Sequence, residues 1–254
     1  MTISPPPPLT ALRDLDAQLA SAGFAVLDAA SLRADAAIDA TALARWAPVW
    51  DTLGPDTYLL DGGRYRRRRH GSFVVEPDGA LQGVPHRAHW QPTDYNALHG
   101  GIERWFEPLP PTLAKDRDWA SLLGALARHA SGLRGVQRWF VEAHAFRIDT
   151  SDGIGRPTPE GAHRDGVDLV AVLMVARHNL LGGETRVFDA RAPQGLRFTL
   201  LEPWSALLLD DERVIHETTP IRPLDAGQPG WRDTLVLTLR RGGFQDPPTP
   251  PSEP

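Results

Sequence analysis

Three residues in the second half of the chain have the types and spacing of an open ferrous iron site. His163 and Asp165 form a His-x-Asp pair, and His216 follows further along the chain. On an extended strand, the two members of such a pair point to the same face. Two imidazoles and one carboxylate bind iron(II) so that three positions stay open for a co-substrate and dioxygen. The sequence therefore predicts a metal site, if the fold brings His216 to the pair.

The segments around these residues favour a metal site over simpler interpretations. A His-x-Asp pair alone is more often a pair of surface residues, and a lone histidine at a strand end is more often structural. Here the proline-containing segment 157–161 would deliver the pair to the mouth of a barrel. The apolar residues Val214 and Ile215 would place His216 at the rim of the same barrel.

A dicarboxylate co-substrate would need an anchor for its distal carboxylate. Arg232 and Thr234 lie on the last predicted strand and share a face. A guanidinium group and a hydroxyl group would satisfy a carboxylate that is removed from water. Two alternatives stay open: Arg232 could pair with Asp233 in solvent, and Arg222, in a loop between two prolines, could be the anchor instead.

The composition limits the classes of function. The chain has 254 residues, of which 41% are hydrophobic, enough for one sizeable core. It has no cysteine, which excludes disulfides, thiolate zinc sites, iron–sulfur clusters and cysteine nucleophiles. A formal net charge of -5 argues against a surface that binds nucleic acid or anionic lipid as a whole. Without a signal-like N-terminus or a long apolar run, we expect a cytoplasmic protein with no membrane contact.

Short strand patterns separated by turn residues fill the second half of the chain, whereas the first half mixes helices and strands. Strands are predicted over residues 139–148, 169–175, 185–188, 196–201, 206–209, 214–218 and 234–239. Such a series is typical of a sandwich, barrel or jelly roll rather than of a parallel α/β sheet. We predict a mainly β protein with flanking helices (α+β). Its single domain would span residues 9–244, between flexible proline-rich tails at residues 1–8 and 245–254.

Several strings along the chain carry a resemblance to a known family. The most specific is Pro-Thr-Pro-Glu-Gly-Ala-His-Arg-Asp-Gly over residues 157–166. Others lie at residues 177–184, 208–211 and 231–236, with further likeness at 65–69 and 95–104. These strings resemble the iron(II)- and 2-oxoglutarate-dependent oxygenases, and in particular the branch of bacterial L-isoleucine hydroxylases that act on free amino acids.

The resemblance implies a double-stranded β-helix, which is a jelly-roll fold, with His163, Asp165 and His216 as iron ligands and Arg232 as the residue that binds 2-oxoglutarate. It implies Fe(II), 2-oxoglutarate and O2 as cofactor and co-substrates. Decarboxylation of 2-oxoglutarate to succinate and CO2 would drive hydroxylation of a C–H bond. The implied partner is a small polar molecule, most simply a free L-amino acid, and the sequence does not indicate the oligomeric state.

Further residues are candidates for substrate binding: His144, Arg66, Arg68, Gln91, Asn96 and Glu184. His144 shares a strand face with Glu142 and Phe146, just before the metal-site loop. Arg66 and Arg68 share one face of the basic run 66–69, where they would suit a substrate carboxylate; a solvated, charged strand edge is the alternative.

Gln91 and Asn96 lie in a polar and aromatic segment with Trp90 and Tyr95 that could cap a pocket, although aromatic residues in loops more often serve packing. Glu184 follows two glycines and could line the pocket or hold the amides of a turn.

Two other functions stay open at this point. A cupin-like metal-dependent enzyme that does not use 2-oxoglutarate would need no anchoring arginine. A non-catalytic metal- or ligand-binding barrel would have the site without any turnover.

Overall fold

The computed structural model describes residues 5–96 and 98–248; the outer parts of both predicted tails, residues 1–4 and 249–254, lie outside the described residues. Its strands are β1 (Phe24–Leu27), β2 (Gly54–Pro55), β3 (Arg66–Val75), β4 (Leu81–Gly83), β5 (Trp139–Asp149), β6 (Leu169–His178), β7 (Leu180–Gly182), β8 (Thr185–Asp189), β9 (Gly195–Phe198), β10 (Ala206–Asp210), β11 (Val214–Thr218), β12 (Ile221–Pro223) and β13 (Trp231–Arg240). Its α-helices are α1 (Leu15–Ala22), α2 (Ala29–Ala36), α3 (Ala40–Trp46), α4 (Pro111–Ala114) and α5 (Arg117–Arg134), with 3-10 turns at Leu12–Asp14 and Ala47–Thr52.

Two antiparallel sheets face each other. The major sheet has the strand order β1-β10-β6-β13-β5-β3-β2, with β4 paired to β3, and the minor sheet has the order β11-β8-β9. Strands β12 and β7 form a separate two-stranded ribbon. The neighbours in the major sheet come from distant parts of the chain, as in a jelly roll. The prediction of a mainly β jelly roll with flanking helices is confirmed.

The two faces of the major sheet bury different residues because side chains alternate along each strand. Its outer face, with Ala143, Ala145 and Leu237, packs against the helices in the larger apolar core. Its inner face meets the minor sheet in a second apolar cluster that includes Val170 of β6 and Phe198 of β9. The helices therefore cover one face of the major sheet and leave the other for the space between the sheets.

Helix α5 is the main element of the helical layer. Asp116 caps its first turn by accepting a hydrogen bond from the backbone N–H of Asp118 at 2.8 Å. Leu122, Leu123 and Leu126 are buried against the sheet at the spacing of one helical face. Gly23 ends α1, with a φ of 78°. A side chain there would also collide with Val214, since an added Cβ would lie 2.8 Å from its Cγ1 atom.

Polar residues replace apolar ones at one end of the inner face. Strand β3 turns Arg66, Arg68 and His70 inward, and they pair in register with Ile148, Phe146 and His144 of β5. The intervening Arg67 is exposed. Such a row of buried polar groups lines a cavity between the sheets. The sequence prediction that only alternate members of the basic run share a face is confirmed.

The C-terminal boundary of the domain differs from the prediction. Gln245 was assigned to the flexible tail, but it is buried, and its amide Nε2 donates to the carbonyl oxygens of Asp165 at 3.1 Å and Gly166 at 3.0 Å. Composition alone cannot reveal these two bonds. In the part of the chain that the structure describes, no helix is long and apolar enough to cross a membrane.

Candidate active site

His163, Asp165 and His216 meet at the cavity between the sheets. Their nearest ligand atoms all lie within 4.8 Å of one another. Asp165 is central, with Oδ1 3.9 Å from His163 Nε2 and Oδ2 3.8 Å from His216 Nε2. The three residues whose spacing predicts a metal site are thus brought together, and we call them the triad.

A loop carries the first two residues of the triad, and a strand carries the third. His163 and Asp165 lie between β5 and β6, and His163 forms an isolated antiparallel bridge with His216 of β11. Each backbone N–H of this bridge donates to the other residue's carbonyl oxygen at 3.0 Å. The two imidazole rings lie 4.7 Å apart, measured between centroids. Strand alternation therefore predicts correctly that His163 and Asp165 lie together, although a loop carries them.

One hydrogen bond fixes the tautomer of His163. Its Nδ1–H donates to the carbonyl oxygen of Gly161 at 3.0 Å, so Nε2 keeps its lone pair on the side of Asp165. Burial alone would lower the pKa of His163, but the charges of Asp165 and Glu160 outweigh burial and raise it. Burial and the neighbouring His163 hold the pKa of His216 far below its usual range.

Asp211 holds the triad loop from behind. Its carboxylate accepts hydrogen bonds from the backbone N–H groups of Asp165 at 3.0 Å, Gly166 at 2.7 Å and Val167 at 3.1 Å. Burial and the nearby Asp165 raise the pKa of Asp211 to about 7. Gly166 adopts a φ of 75° here, and an added Cβ would lie 2.5 Å from the Tyr95 ring. No role was predicted for Asp211 from the sequence.

Arg232 and Thr234 line the same cavity, side by side on β13. Arg232 is 4% exposed, and its Nε has no hydrogen-bond partner among the described residues. Burial lowers its pKa to about 9, with the positive charge of Arg177 adding to the effect. The adjacent Asp233 instead pairs with Arg147, at 2.7 Å. A buried guanidinium in this state needs an anion, which makes Arg232 a binding group for a carboxylate.

Arg222, the alternative anchor, is exposed on β12 and does not line the cavity. Glu184 also lies away from the cavity. Its side chain contacts Arg186, with Arg186 Nε 3.1 Å from Glu184 Oε1, and its backbone N–H donates to Thr219 Oγ1. The sequence predicts Glu184 as a substrate-binding residue, but it is not among the residues that line this cavity.

A second histidine and carboxylate group lies deeper in the cavity. His70, His89, Glu142 and His144 are all buried, and their ligand atoms also lie within 4.8 Å of one another. We call these four residues the buried cluster. Glu142 Oε1 accepts from His70 Nε2–H at 3.1 Å and from His89 Nδ1–H at 3.2 Å. Of this cluster, the sequence predicts only His144 as a site residue. Cross-strand pairing brings the other members to it, and the sequence does not reveal that pairing.

The hydrogen bonds of the buried cluster place protons on the nitrogens that face its carboxylate. Arg68 donates from Nη2 to His144 Nδ1 at 2.7 Å, which leaves the proton of the neutral ring on Nε2. Burial lowers the pKa of His89 to about 3 and also lowers the pKa values of His70 and His144. Burial alone would raise the pKa of Glu142, but contacts with His89 and His70 lower it. The cluster is therefore a set of three neutral imidazoles, two of which donate to one charged carboxylate.

Three arginines form the basic side of the cavity. Arg66 Nε donates to Asp56 Oδ2 at 2.7 Å, and Arg68 Nη1 lies 3.9 Å from the same oxygen. Arg104 Nη2 donates to Gln91 Oε1 at 3.0 Å. One nitrogen of each arginine, namely Arg66 Nη2, Arg68 Nε and Arg104 Nε, is buried without a hydrogen-bond partner among the described residues. Arg66 and Arg68 were predicted here from the sequence, whereas Arg104 was missed.

Gln91 links this basic side to the triad. Its Nε2 donates to Asp165 Oδ1 at 3.4 Å, while its Oε1 accepts from Asn96 Nδ2 at 3.3 Å. Gln91, Asn96 and His144 all line the cavity, as the sequence predicts.

A family model described as "2OG-Fe dioxygenase" matches residues 47–238. A 3(1)-hydroxy-L-isoleucine 4-dioxygenase of Pantoea ananatis is 25% identical over 198 residues, which cover 74% of this chain and 78% of that protein. The crystal structure of a bsmA homologue from Methylobium petroleophilum is 53% identical, with a TM-score of 0.89 and coverage of 96% of this chain and 98% of that one. The structure of IDO from Bacillus thuringiensis shares the fold at 15% identity, with a TM-score of 0.74 and coverage of 93% and 100%.

Proposed function

This chain belongs to the 2OG-Fe dioxygenase family, and we propose that it hydroxylates a free L-amino acid while it converts 2-oxoglutarate to succinate and CO2. The observation that carries the proposal is the arrangement of three groups around one cavity: the triad, the unpaired Arg232, and the arginines of the basic side. The family accounts for Fe(II), 2-oxoglutarate and O2 as the reagents. Each reagent can be assigned to one of these groups.

We assign the iron to the triad rather than to the buried cluster. Both sets have the residue types of a metal site, but metal binding requires nitrogens without protons. The His163 Nδ1–H bond to Gly161 leaves Nε2 available, as ligand histidines commonly require. In the buried cluster, Arg68 occupies the Nδ1 lone pair of His144, and the carboxylate of Glu142 holds protons on Nε2 of His70 and Nδ1 of His89. The positive charge of Arg68 beside His144 opposes a cation there as well.

We assign 2-oxoglutarate to Arg232 and Thr234. The buried Arg232 lacks a carboxylate partner, and the hydroxyl of Thr234 lies on the same strand face. A guanidinium fork with a neighbouring hydroxyl matches the distal carboxylate of a dicarboxylate. When bound, iron with 2-oxoglutarate would supply oxygen activation, and the protein side chains would fix orientation and exclude water.

The substrate would bind on the basic side. The unpaired nitrogens of Arg66 and Arg68 face the cavity next to the triad, where they suit a carboxylate. Gln91 and Asn96 would restrict access from the loop above. The similarity to an enzyme named for an isoleucine derivative supports an amino acid as the substrate class.

A succinate-release assay tests the proposal. Purified protein is incubated with Fe(II), ascorbate, 2-oxoglutarate and single free L-amino acids under air, and succinate and the product mass are measured together. We expect succinate and a product heavier by one oxygen atom in equal amounts for at least one amino acid. A cupin-like enzyme or a binding barrel would give no substrate-dependent succinate, and that result would refute the proposal.

A further inference from the structure

We propose that Glu160 binds the ammonium group of the amino-acid substrate, so that the cavity selects zwitterions whose side chain carries no charge. This inference rests on the proposed function and names the substrate class of the same site. Glu160 lies just before the triad, in the string that resembles the family, but no role was predicted for it from the sequence. Its position, its unpaired oxygen and the charges around it support the role.

Glu160 faces the cavity beside the triad. Its side chain is 13% exposed, and Oε1 lies 3.6 Å from His163 Nε2. Its other oxygen, Oε2, is buried without a hydrogen-bond partner among the described residues. A buried carboxylate oxygen in this state requires a donor. The ammonium group of a substrate would supply that donor next to the metal site.

The loop that carries Glu160 is fixed at both sides of the residue. Thr158 Oγ1 donates to the carbonyl oxygen of Thr218 at 3.0 Å and accepts from the Thr218 backbone N–H at 3.1 Å. Gly161, with a φ of 82°, donates from its N–H to the Thr158 carbonyl oxygen at 3.0 Å. The carboxylate is thus held in place before any ligand arrives, which reduces the entropy lost on binding.

The arginines of the basic side line the same cavity as this carboxylate. Arg104 is 2% exposed, and its unpaired Nε adds to the unpaired nitrogens of Arg66 and Arg68. Burial and the nearby Arg66 lower the pKa of Arg104 to about 10, and Glu160 is among the carboxylates that oppose this lowering. Glu160 offers a hydrogen-bond acceptor for the ammonium group of an α-amino acid, and the arginines offer donors for its carboxylate.

The charges on the substrate side of the cavity balance without a ligand. The arginines that line this side are Arg66, Arg68 and Arg104, the carboxylates that line it are Glu142 and Glu160, and the buried Asp56 pairs with Arg66. The histidines of the buried cluster are neutral. A zwitterion with an uncharged side chain keeps this balance, whereas a further charge on the substrate would be buried without a partner.

The first test compares Glu160→Gln with wild-type protein, with Glu76→Gln as a matched control. Glu76 is a similarly buried carboxylate, 16% exposed, that pairs with Arg138 away from the cavity. The probes are the amino acid that gives most succinate in the panel and its 2-hydroxy acid counterpart. For Glu160→Gln we expect the KM for the amino acid to rise about 10- to 100-fold, and its preference over the hydroxy acid to shrink. We expect both to stay unchanged for Glu76→Gln.

Titration with Mn²⁺, together with the KM for the co-substrate 2-oxoglutarate, separates this role from metal binding. We expect both quantities to stay within about twofold of wild type in Glu160→Gln. A tenfold loss of Mn²⁺ affinity would make Glu160 a metal ligand and overturn the inference, as would an unchanged amino-acid KM.

The second test uses the charge of the amino acid side chain. We expect coupled turnover with uncharged side chains such as those of L-isoleucine and L-glutamine, and none with L-aspartate, L-glutamate, L-lysine or L-arginine. A charged amino acid as the best substrate would overturn the inference and leave the proposed function intact. Absence of turnover with every amino acid in wild-type protein would overturn both.

Discussion

The triad and the buried cluster contain the same residue types in the same cavity, and the difference between them lies in their neighbours. In the triad, a backbone carbonyl takes the Nδ1 proton of His163 and leaves Nε2 free. In the buried cluster, Arg68 occupies Nδ1 of His144, and the carboxylate of Glu142 holds protons on Nε2 of His70 and Nδ1 of His89. The neighbours of a group of histidines and carboxylates therefore decide which lone pairs remain for a metal.

The two groups also differ in their support. The triad lies on a loop and on the middle residue of β11, where the ligands meet the open cavity. The buried cluster lies mainly on β3 and β5, paired in register and stacked, with His70 and His144 at a centroid distance of 4.8 Å. One group is arranged for exchange with solvent and ligands, and the other holds the wall of the cavity in shape.

The largest expected effect comes from the triad. Asp165→Ala removes the carboxylate that both histidines face, so we expect Mn²⁺ affinity to fall more than about 100-fold and coupled succinate release to be lost. Isothermal titration and the succinate assay measure the two effects. If the variant bound metal with wild-type affinity, the triad would not be the metal site, and its contrast with the buried cluster would be wrong.

The next effect concerns the co-substrate. Arg232→Ala should raise the KM for 2-oxoglutarate about 10- to 100-fold, because a charge-assisted hydrogen-bond pair is lost. Metal affinity should not change. Arg222→Ala is the matched control, since Arg222 is exposed on β12, and it should behave as wild type in steady-state kinetics. A larger effect for Arg222 than for Arg232 would restore the alternative anchor.

A stability effect without a metal effect is expected for the buried cluster. Glu142→Gln leaves two histidines and Arg87 without their carboxylate, and we expect it to lower the free energy of unfolding by about 3 kcal/mol. Urea denaturation at neutral pH measures this, where the lowered pKa keeps the native Glu142 ionised. Metal stoichiometry should remain that of wild type. If this variant bound one metal ion fewer than wild type, the buried cluster would be a metal site like the triad.

The smallest effect concerns a third arrangement of the same residue types, in the helical layer. His129 of α5 lies between Asp35, at 2.9 Å, and Asp16, at 2.6 Å. Burial alone would lower its pKa, but the two carboxylates outweigh burial and raise it. The ion pairs of protonated His129 therefore stabilise the fold fully at pH values below 6.5, the ordinary pKa of histidine. This stabilisation is lost as the pH rises through the raised pKa.

Because Asp16 is mostly exposed, we expect this contribution to be on the order of 1 kcal/mol. His129→Gln should remove it, so that the difference in unfolding free energy between the two proteins shrinks as pH rises above neutrality. Thermal denaturation of metal-free protein at several pH values measures the trend. A difference that grows with pH would mean that His129 is neutral in the folded state.

Much of the site was accessible from the sequence because its signals are local. Period-two alternation gives the shared face of Arg66 and Arg68, and the His-x-Asp pair with a later histidine gives the triad. Residues that depend on strand pairing were not accessible in this way. His70 and His89 join Glu142 only through the register of β3 with β5 and through the loop before α4.

Other misses have different physical causes. The family-like string around Glu184 predicts a pocket residue, but its carboxylate contacts Arg186 and does not line the cavity. Gln245 was assigned to a tail because prolines follow it, yet one amide group that reaches two carbonyl oxygens is enough to hold it. Composition describes the average behaviour of a segment, whereas a single buried side chain determines where the folded domain ends.

The backbone bridge between His163 and His216 has a consequence for how a bound metal would be exchanged. Its two hydrogen bonds join segments that are distant in sequence through backbone atoms alone. Because this bridge closes the loop between the two segments without side-chain ligands, a metal held by the triad would be exchanged on a finished scaffold. The protein would then not need to unfold when the metal is replaced.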